Sequence, residues 1–163
     1  MHTPHLNPDA TLLFSRLLLS ALFLQSGVSK SFAWNDALDE LHSFGLPRSP
    51  ALLLPALALQ LLGGLALVLG LFTFWAGLAL IAFLVPTTLL AHGFWRYAPP
   101  LRAHHVTGFF QNLTICGGLT LILHTGPGAL SLDARLAAPP NHQPPALTLA
   151  HPRPSASPPQ PSP

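Results

Sequence analysis

The sequence predicts an all-α polytopic membrane protein, a bundle of four transmembrane helices with one short amphipathic helix at the membrane interface. Three observations carry that expectation. Only 7% of the 163 residues are charged and half are hydrophobic, whereas soluble domains carry about 25% charged residues. Too little polar surface exists to coat a water-soluble globule. No Asp, Glu, Lys or Arg occurs between Arg48 and Arg96, a stretch that a soluble bundle could hardly accommodate on its solvent-facing sides. Finally, Val106 to Thr125 is a mostly apolar run free of those four residue types, about the 20 residues needed to cross a hydrocarbon core of roughly 30 Å.

Taken in order, residues 1–10 form a short polar head with His2, His5 and two prolines. No Lys or Arg precedes the first apolar run, and no small-residue cleavage pattern follows LLLSALFLQSG. Residues 11–33 are therefore expected to be a retained first span rather than a secretory signal. Arg16 and Lys30 lie near its opposite ends, about 21 Å apart along a helix, so each is expected to snorkel toward its own interface.

Trp34 to Pro50 reads WNDALDELHSFGLPRSP. Leu38, Leu41 and Phe44 fall at helical spacing opposite Asp36, Asp39 and Glu40, which predicts a helix lying on the membrane surface. Trp34 and Phe44 suit the headgroup level, and the Gly45-Leu46-Pro47 turn leads back into the bilayer.

Residues 51–72 and 73–92 give the second and third spans, joined by so little chain around Gly70 to Phe74 that they must be antiparallel neighbours. On the second, Ala56, Gln60, Gly63, Gly64 and Leu67 share a face whose small residues let another backbone approach closely. On the third, Pro86 leaves the Ala82 carbonyl without its usual donor, with Thr87 and Thr88 placed to repair hydrogen bonding. A polar connection from Gly93 to His105 precedes the fourth span, residues 106–125, which Gly126, Pro127 and Gly128 terminate. The four-helix membrane domain thus covers residues 11–133. Residues 134–163 are proline-rich and cannot bury enough apolar surface to fold, so they read as a disordered tail.

Four crossings put both termini on one side of the membrane. The other side gathers Lys30, His42, Arg48, His92, Arg96, Arg102, His104 and His105. Basic residues are divided between the two sides, so charge counting does not choose the cytoplasmic one. The net charge of +2 is spread over separate loops, which argues against a nucleic-acid partner. Cys116 is the single cysteine and forms no intrachain disulfide or CxxC pair, so its simplest role is packing.

Polar groups inside the spans are Gln25, Lys30, Gln60, His92 and Asn112. Burying such a group unpaired in hydrocarbon costs several kcal/mol, so each is expected to face the bundle interior, pair, or serve a function. Two readings of Gln60 and Asn112 stay open. Either they hydrogen-bond across helices as glue, worth about 0.6–2 kcal/mol each, or, with Lys30 and His92, they line a ligand pocket that opens toward the His-rich side. A metal site is not expected: His42, His92, His104 and His105 match no ligand spacing, adjacent His104 and His105 point about 100° apart on a helix, and no Cys or carboxylate completes a set. No Ser-His-Asp arrangement, phosphate loop or paired carboxylates appear.

Five pieces in order, FLQSGVSK with Gly27 and Lys30, the FGLP turn, LQLLGGLALVLGLFT, AHGFW, and FFQNLTICGGLTLILHTGPGALSLD, make residues 11–133 resemble the DoxX family of small four-helix bacterial membrane proteins. The family often has Glu where this chain has Gln60, so a proton-linked carboxylate in the second span is absent here. It often has a basic residue where this chain has Phe74, so the positive-inside marker for cytoplasmic termini is lost. The resemblance implies a multi-pass protein of the bacterial inner membrane with both termini in the cytoplasm. It also implies redox association, because the family name comes from similarity to the membrane subunits of a thiosulfate:quinone oxidoreductase and some members associate with redox-stress enzymes.

Two functional expectations follow. In the first, the chain is a membrane subunit of a quinone-linked oxidoreductase complex, binding a membrane quinone through Lys30, Gln60, His92 and Asn112 and receiving electrons from redox-enzyme partner proteins. In the second, it is a non-catalytic scaffold or a small-molecule or lipid transporter, with Asn35 to Phe44 as a docking surface and the Gly63-Gly64 face as the contact of a homo-oligomer.

Overall fold

The computed structural model describes residues 7–138. Four helices in it are long and apolar enough to cross a membrane: α1 (Pro8–Phe32), α3 (Pro50–Leu69), α4 (Thr73–Ala91) and α5 (Leu101–Thr125). Between the first two lies the short α2 (Trp34–Ser43), a 3-10 turn (Phe94–Arg96) precedes α5, and α6 (Leu132–Ala137) ends the described chain. No strand occurs among the described residues. The expected head (1–10) and tail (134–163) lie largely outside them. Within 7–10, Asn7 accepts from the Asp9 and Ala10 amides and Pro8 takes the first helical position, which together start α1. α5 begins at Leu101, five residues before the apolar run at Val106, because the polar residues Arg102, His104 and His105 continue the same helix out of the hydrocarbon.

The core follows from which face of each span turns inward. Phe23, Leu67, Leu80, Leu84, Ile115 and Leu119 form one buried cluster from all four spans. Small residues set how closely the helices approach. A side chain at Gly27 would meet Leu61, and one at Gly64 would meet Leu24 and Phe23, so α1 lies tightly against α3. Gly63 receives Leu80 from α4, and Gly118 receives Leu19 from α1. The Gly63-Gly64 face, a homo-oligomer contact on one expectation, is therefore occupied within the chain: both glycines are buried. The outer surfaces carry exposed Leu18, Leu54, Leu62, Trp75, Phe110 and Leu121, the arrangement lipid requires.

α2 does not simply lie on the surface. Its Ala37 is buried in a second cluster with Leu53 and Leu57 of α3, and Trp34, Leu38 and Leu41 pack against it. Pro86 is accommodated in α4, where the Thr87 hydroxyl donates to the Phe83 carbonyl and the Thr88 hydroxyl to the Leu84 carbonyl. These are neighbours of the freed Ala82 carbonyl rather than that group itself.

The end of the bundle that holds the start of α1 and α6 is closed by ionic and backbone contacts. Arg16, expected to snorkel outward, is instead fully buried at 0% exposure, with its Nη2 donating to the Leu130 carbonyl. Gly70, in the left-handed conformation at φ +62°, closes α3 directly over the guanidinium, and any Cβ there would overlap it. The next turn holds Phe72 at φ +48°, an uncommon conformation for a bulky side chain. It is held by Asp133, whose carboxylate accepts from the Phe72 amide at 2.7 Å and the Thr73 amide at 2.9 Å, while the Asp133 amide donates to the Gly70 carbonyl at 2.8 Å. Burial raises the cost of ionising Asp133, but these amide bonds from Thr73 and Phe72, with the nearby Arg16 charge, outweigh it and hold its carboxyl below the ordinary value of 3.8.

Candidate functional site

The opposite end of the bundle is open. Lys30 projects from the last turn of α1 toward α2, where its Nζ meets Glu40 at 2.6 Å. A second pair, Arg48 to Asp39 at 2.9 Å, ties α2 to the loop that follows it. Two of the three acids in the segment proposed as a docking surface, Asp39 and Glu40, are thus engaged within the chain. Sequence spacing gave Lys30 no partner, yet a cation at the end of one helix beside an acidic helix on the same membrane face was a usable signal.

Below this pair the helices diverge around a cavity of about 280 Å³. Its walls bring together all four residues singled out from the sequence: Lys30 from α1, Gln60 from α3, His92 from the end of α4 and Asn112 from α5. Gln25, Glu40, Thr87 and Gln111 add further polar groups. The sequence reading had assigned Glu40 to a docking face and Thr87 to backbone repair, and had passed over Gln111. An i−1 neighbour of Asn112 is hard to place on a face by periodicity alone. Phe83, Leu84 and Ile115 supply apolar wall.

Two of these polar groups are uncommitted. Gln60 is 5% exposed and its Oε1 is buried without a hydrogen-bond partner among the described residues. The cross-helix bond to Asn112 that would make the pair glue is therefore not formed through that oxygen. His92 Nδ1 is likewise buried and unpartnered. Its ring fits because α5 has glycine opposite: a Cβ at Gly108 would lie 2.6 Å from the imidazole.

The histidine continues into an aromatic group at the membrane surface. The His92 and His105 ring centroids are 5.8 Å apart, and Tyr97 stacks on His105 at 3.7 Å and 10°. His105 Nδ1 is also buried without a partner. Among the described residues, no three of His, Cys, Asp and Glu converge as metal ligands would. Cys116 lies deeper, half-buried against the central core.

A second, smaller space of about 180 Å³ adjoins the first beneath α2. Lys30, Glu40, Gln60, Phe83 and Thr87 line both. The remaining walls are almost wholly apolar, from Ala37, Leu41 and Phe44 of α2 and its C-terminal edge, Leu52, Ala56 and Leu57 of α3, and Leu90 of α4. The site is thus a polar chamber with an apolar side slot.

Comparison with known proteins agrees with this architecture. The DoxX family pattern matches residues 11–93 and the SURF4 family pattern matches residues 64–136. Inner membrane protein YphA of Escherichia coli (strain K12) is 27% identical over 124 residues, covering 76% of this chain and 89% of YphA. Inner membrane protein YqjF of the same organism is 32% identical over 129 residues, covering 78% of this chain and 93% of YqjF. No solved structure matches. With half of the chain matched by one family pattern, a relative of similar length along most of it, and four apolar spans in one bundle, the chain belongs to the DoxX family of integral membrane proteins.

Proposed function

We propose that the protein is a membrane subunit of a quinone-linked redox complex in a bacterial inner membrane and that a quinone headgroup binds in the polar chamber. One observation carries this reading: Lys30, Gln60, His92 and Asn112, from four different helices, line a single cavity in which Gln60 Oε1 and His92 Nδ1 are buried and uncommitted. A quinone offers two carbonyl acceptors on opposite sides of a flat ring. The chamber offers donors for them, the Lys30 ammonium, the His92 imidazole and the amide N–H groups of Gln60 and Asn112, while Gln60 Oε1 is an acceptor that suits the hydroxyl of the quinol. The inner-membrane relatives are consistent with the location.

A quinone bound there takes up two electrons and two protons to become the quinol. The chain's residues bind the head, exclude bulk water with Phe83, Leu84 and Ile115, and carry protons. His92 lines the chamber and its ring lies 5.8 Å from that of His105, so a proton entering or leaving the chamber has imidazoles along its way. The electrons come from a partner redox enzyme.

The test is quinone content. Protein purified in mild detergent and in nanodiscs should carry near-stoichiometric quinone, measured by mass spectrometry of an organic extract against an unrelated membrane protein. Lys30→Met should weaken binding by about tenfold, the cost of losing one partly exposed hydrogen bond from a charged donor. Background quinone in both preparations, or unchanged binding in Lys30→Met and His92→Phe alike, refutes the assignment and favours a scaffold or transport role.

A further inference from the structure

We propose that the apolar slot beneath α2 receives the hydrocarbon tail of the same ligand whose head sits in the polar chamber, so that the site selects isoprenoid-tailed quinones over tailless ones. This rests on the reading of the chamber as a quinone site and extends it to the part of the molecule that the chamber does not hold.

The argument is one of continuity. A head resting on Lys30, Gln60 and Thr87 touches residues that also line the slot, so the two spaces adjoin at those side chains and a substituent on the ring has only them to pass. Beyond those shared residues the slot changes character, with Leu41, Phe44, Leu53, Ala56, Leu57 and Leu90 as its walls. A polar ligand group would find no hydrogen-bond partner among such side chains, and burying it there would be costly. Size agrees with the chemistry. Cavities of about 150 Å³ lined by Leu, Ile and Phe hold a benzene-sized apolar group, so a slot of about 180 Å³ admits a branched five-carbon unit. Leu52 lines the slot and is also 43% exposed on the bundle's outer surface, which gives the rest of a long tail a way out to lipid.

α2 makes the slot. Its Ala37 is anchored on Leu53 and Leu57, and Glu40, held by Lys30 at 2.6 Å, stands at the junction of chamber and slot. The amphipathic helix is therefore a roof, apolar over the tail and ionic over the head.

The test uses a benzoquinone carrying a short alkyl tail with a terminal diazirine, added to protein in phosphatidylcholine nanodiscs and photolysed, with adducts mapped by mass spectrometry. Binding of the tailless benzoquinone is measured in parallel. Adducts are expected on Leu52 to Leu57 or Phe83 to Leu90, suppressed by excess tailless quinone. Ala56→Trp, or independently Leu90→Trp, should reduce them by at least tenfold while tailless-quinone binding, which also reports correct folding, changes by less than twofold. Tailless binding with adducts confined to lipid-facing residues such as Leu18, Leu62 and Trp75 overturns the slot assignment and leaves the chamber reading intact. Equal slot labelling by a diazirine fatty acid, insensitive to tailless quinone, assigns the slot to bilayer lipid and also overturns it. Failure of the tailless quinone to bind wild-type protein removes the chamber reading and this inference with it.

Discussion

Arg16 shows how much one side chain can demand of its surroundings. A guanidinium at 0% exposure calls for compensation, and it is met in part: Nη2 donates to the Leu130 carbonyl and the charge of Asp133 is nearby, while Nε and Nη1 have no hydrogen-bond partner among the described residues. Gly70 then becomes obligatory, since it sits left-handed and against the guanidinium at once. Gly70→Ala should destabilise the bundle by about 2–4 kcal/mol, combining backbone strain with overpacking, and thermal unfolding in detergent followed by circular dichroism measures it. Asp133 adds a pH dependence. Its folded carboxyl titrates below the ordinary 3.8, so its stabilisation is complete above the unfolded value and is lost as pH falls through the lower folded one. Melting temperature should therefore drop in that acidic window, and Asp133→Asn should be less stable at neutral pH and flatter across it. A wild-type and Asp133→Asn pair with parallel pH profiles would contradict this.

Among the elements, α2 carries the most consequence for its length. Its ion pairs are partly exposed, with side-chain exposures of 30% and 40% for Lys30 and Glu40, so each is worth at most about 1 kcal/mol. Ala37 matters more. Ala37→Asp places a carboxylate against Leu53 and Leu57 and should release the helix, seen as faster amide exchange over residues 34–43 with the four spans still protected. Glu40→Gln should leave that exchange within about twofold.

The elements also show where sequence reading succeeds and stops. The four apolar runs, the interfacial helix and the small-residue face of α3 were legible, because hydrophobicity and residue size are local properties with a helical period, but not what that face meets: Gly63 and Gly64 pack on α4 and α1 of the same chain. Lys30, Gln60, His92 and Asn112 were legible as polar intruders in apolar runs, which is why they could be grouped before any contact was known. The burial of Arg16 was not, since its partner Leu130 is 114 residues away. Nor was the Asp133 cap on Phe72 and Thr73, across 61 and 60 residues. Pairing between helices leaves no periodic trace, so Glu40 reads as a surface acid in the sequence although its partner Lys30 ends the preceding helix.

At the scale of the whole molecule the two ends differ in construction. One is sealed by Arg16, Gly70 and residues 128–133, and the other holds the chamber, the slot and His42, His92, His104 and His105. If both termini face the cytoplasm, as the family resemblance implies, a fluorescent reporter that matures only in the cytoplasm should be bright when fused after Ala138, and a periplasm-dependent phosphatase fused there should be inactive. The reverse pattern would invert the protein and place the chamber on the cytoplasmic side.

Between the two ends lie Leu67, Leu80 and Leu119, each at 0% exposure and drawn from three spans. Such a layer is an electrical insulator as much as a packing core. It stands between the titratable groups near the chamber and Arg16 and Asp133 on the far side, so a proton path from one compartment to the other would have to cross a layer of leucines. Chemistry in the chamber would then draw protons from one compartment alone, and its rate would follow the acidity of that compartment and ignore that of the other.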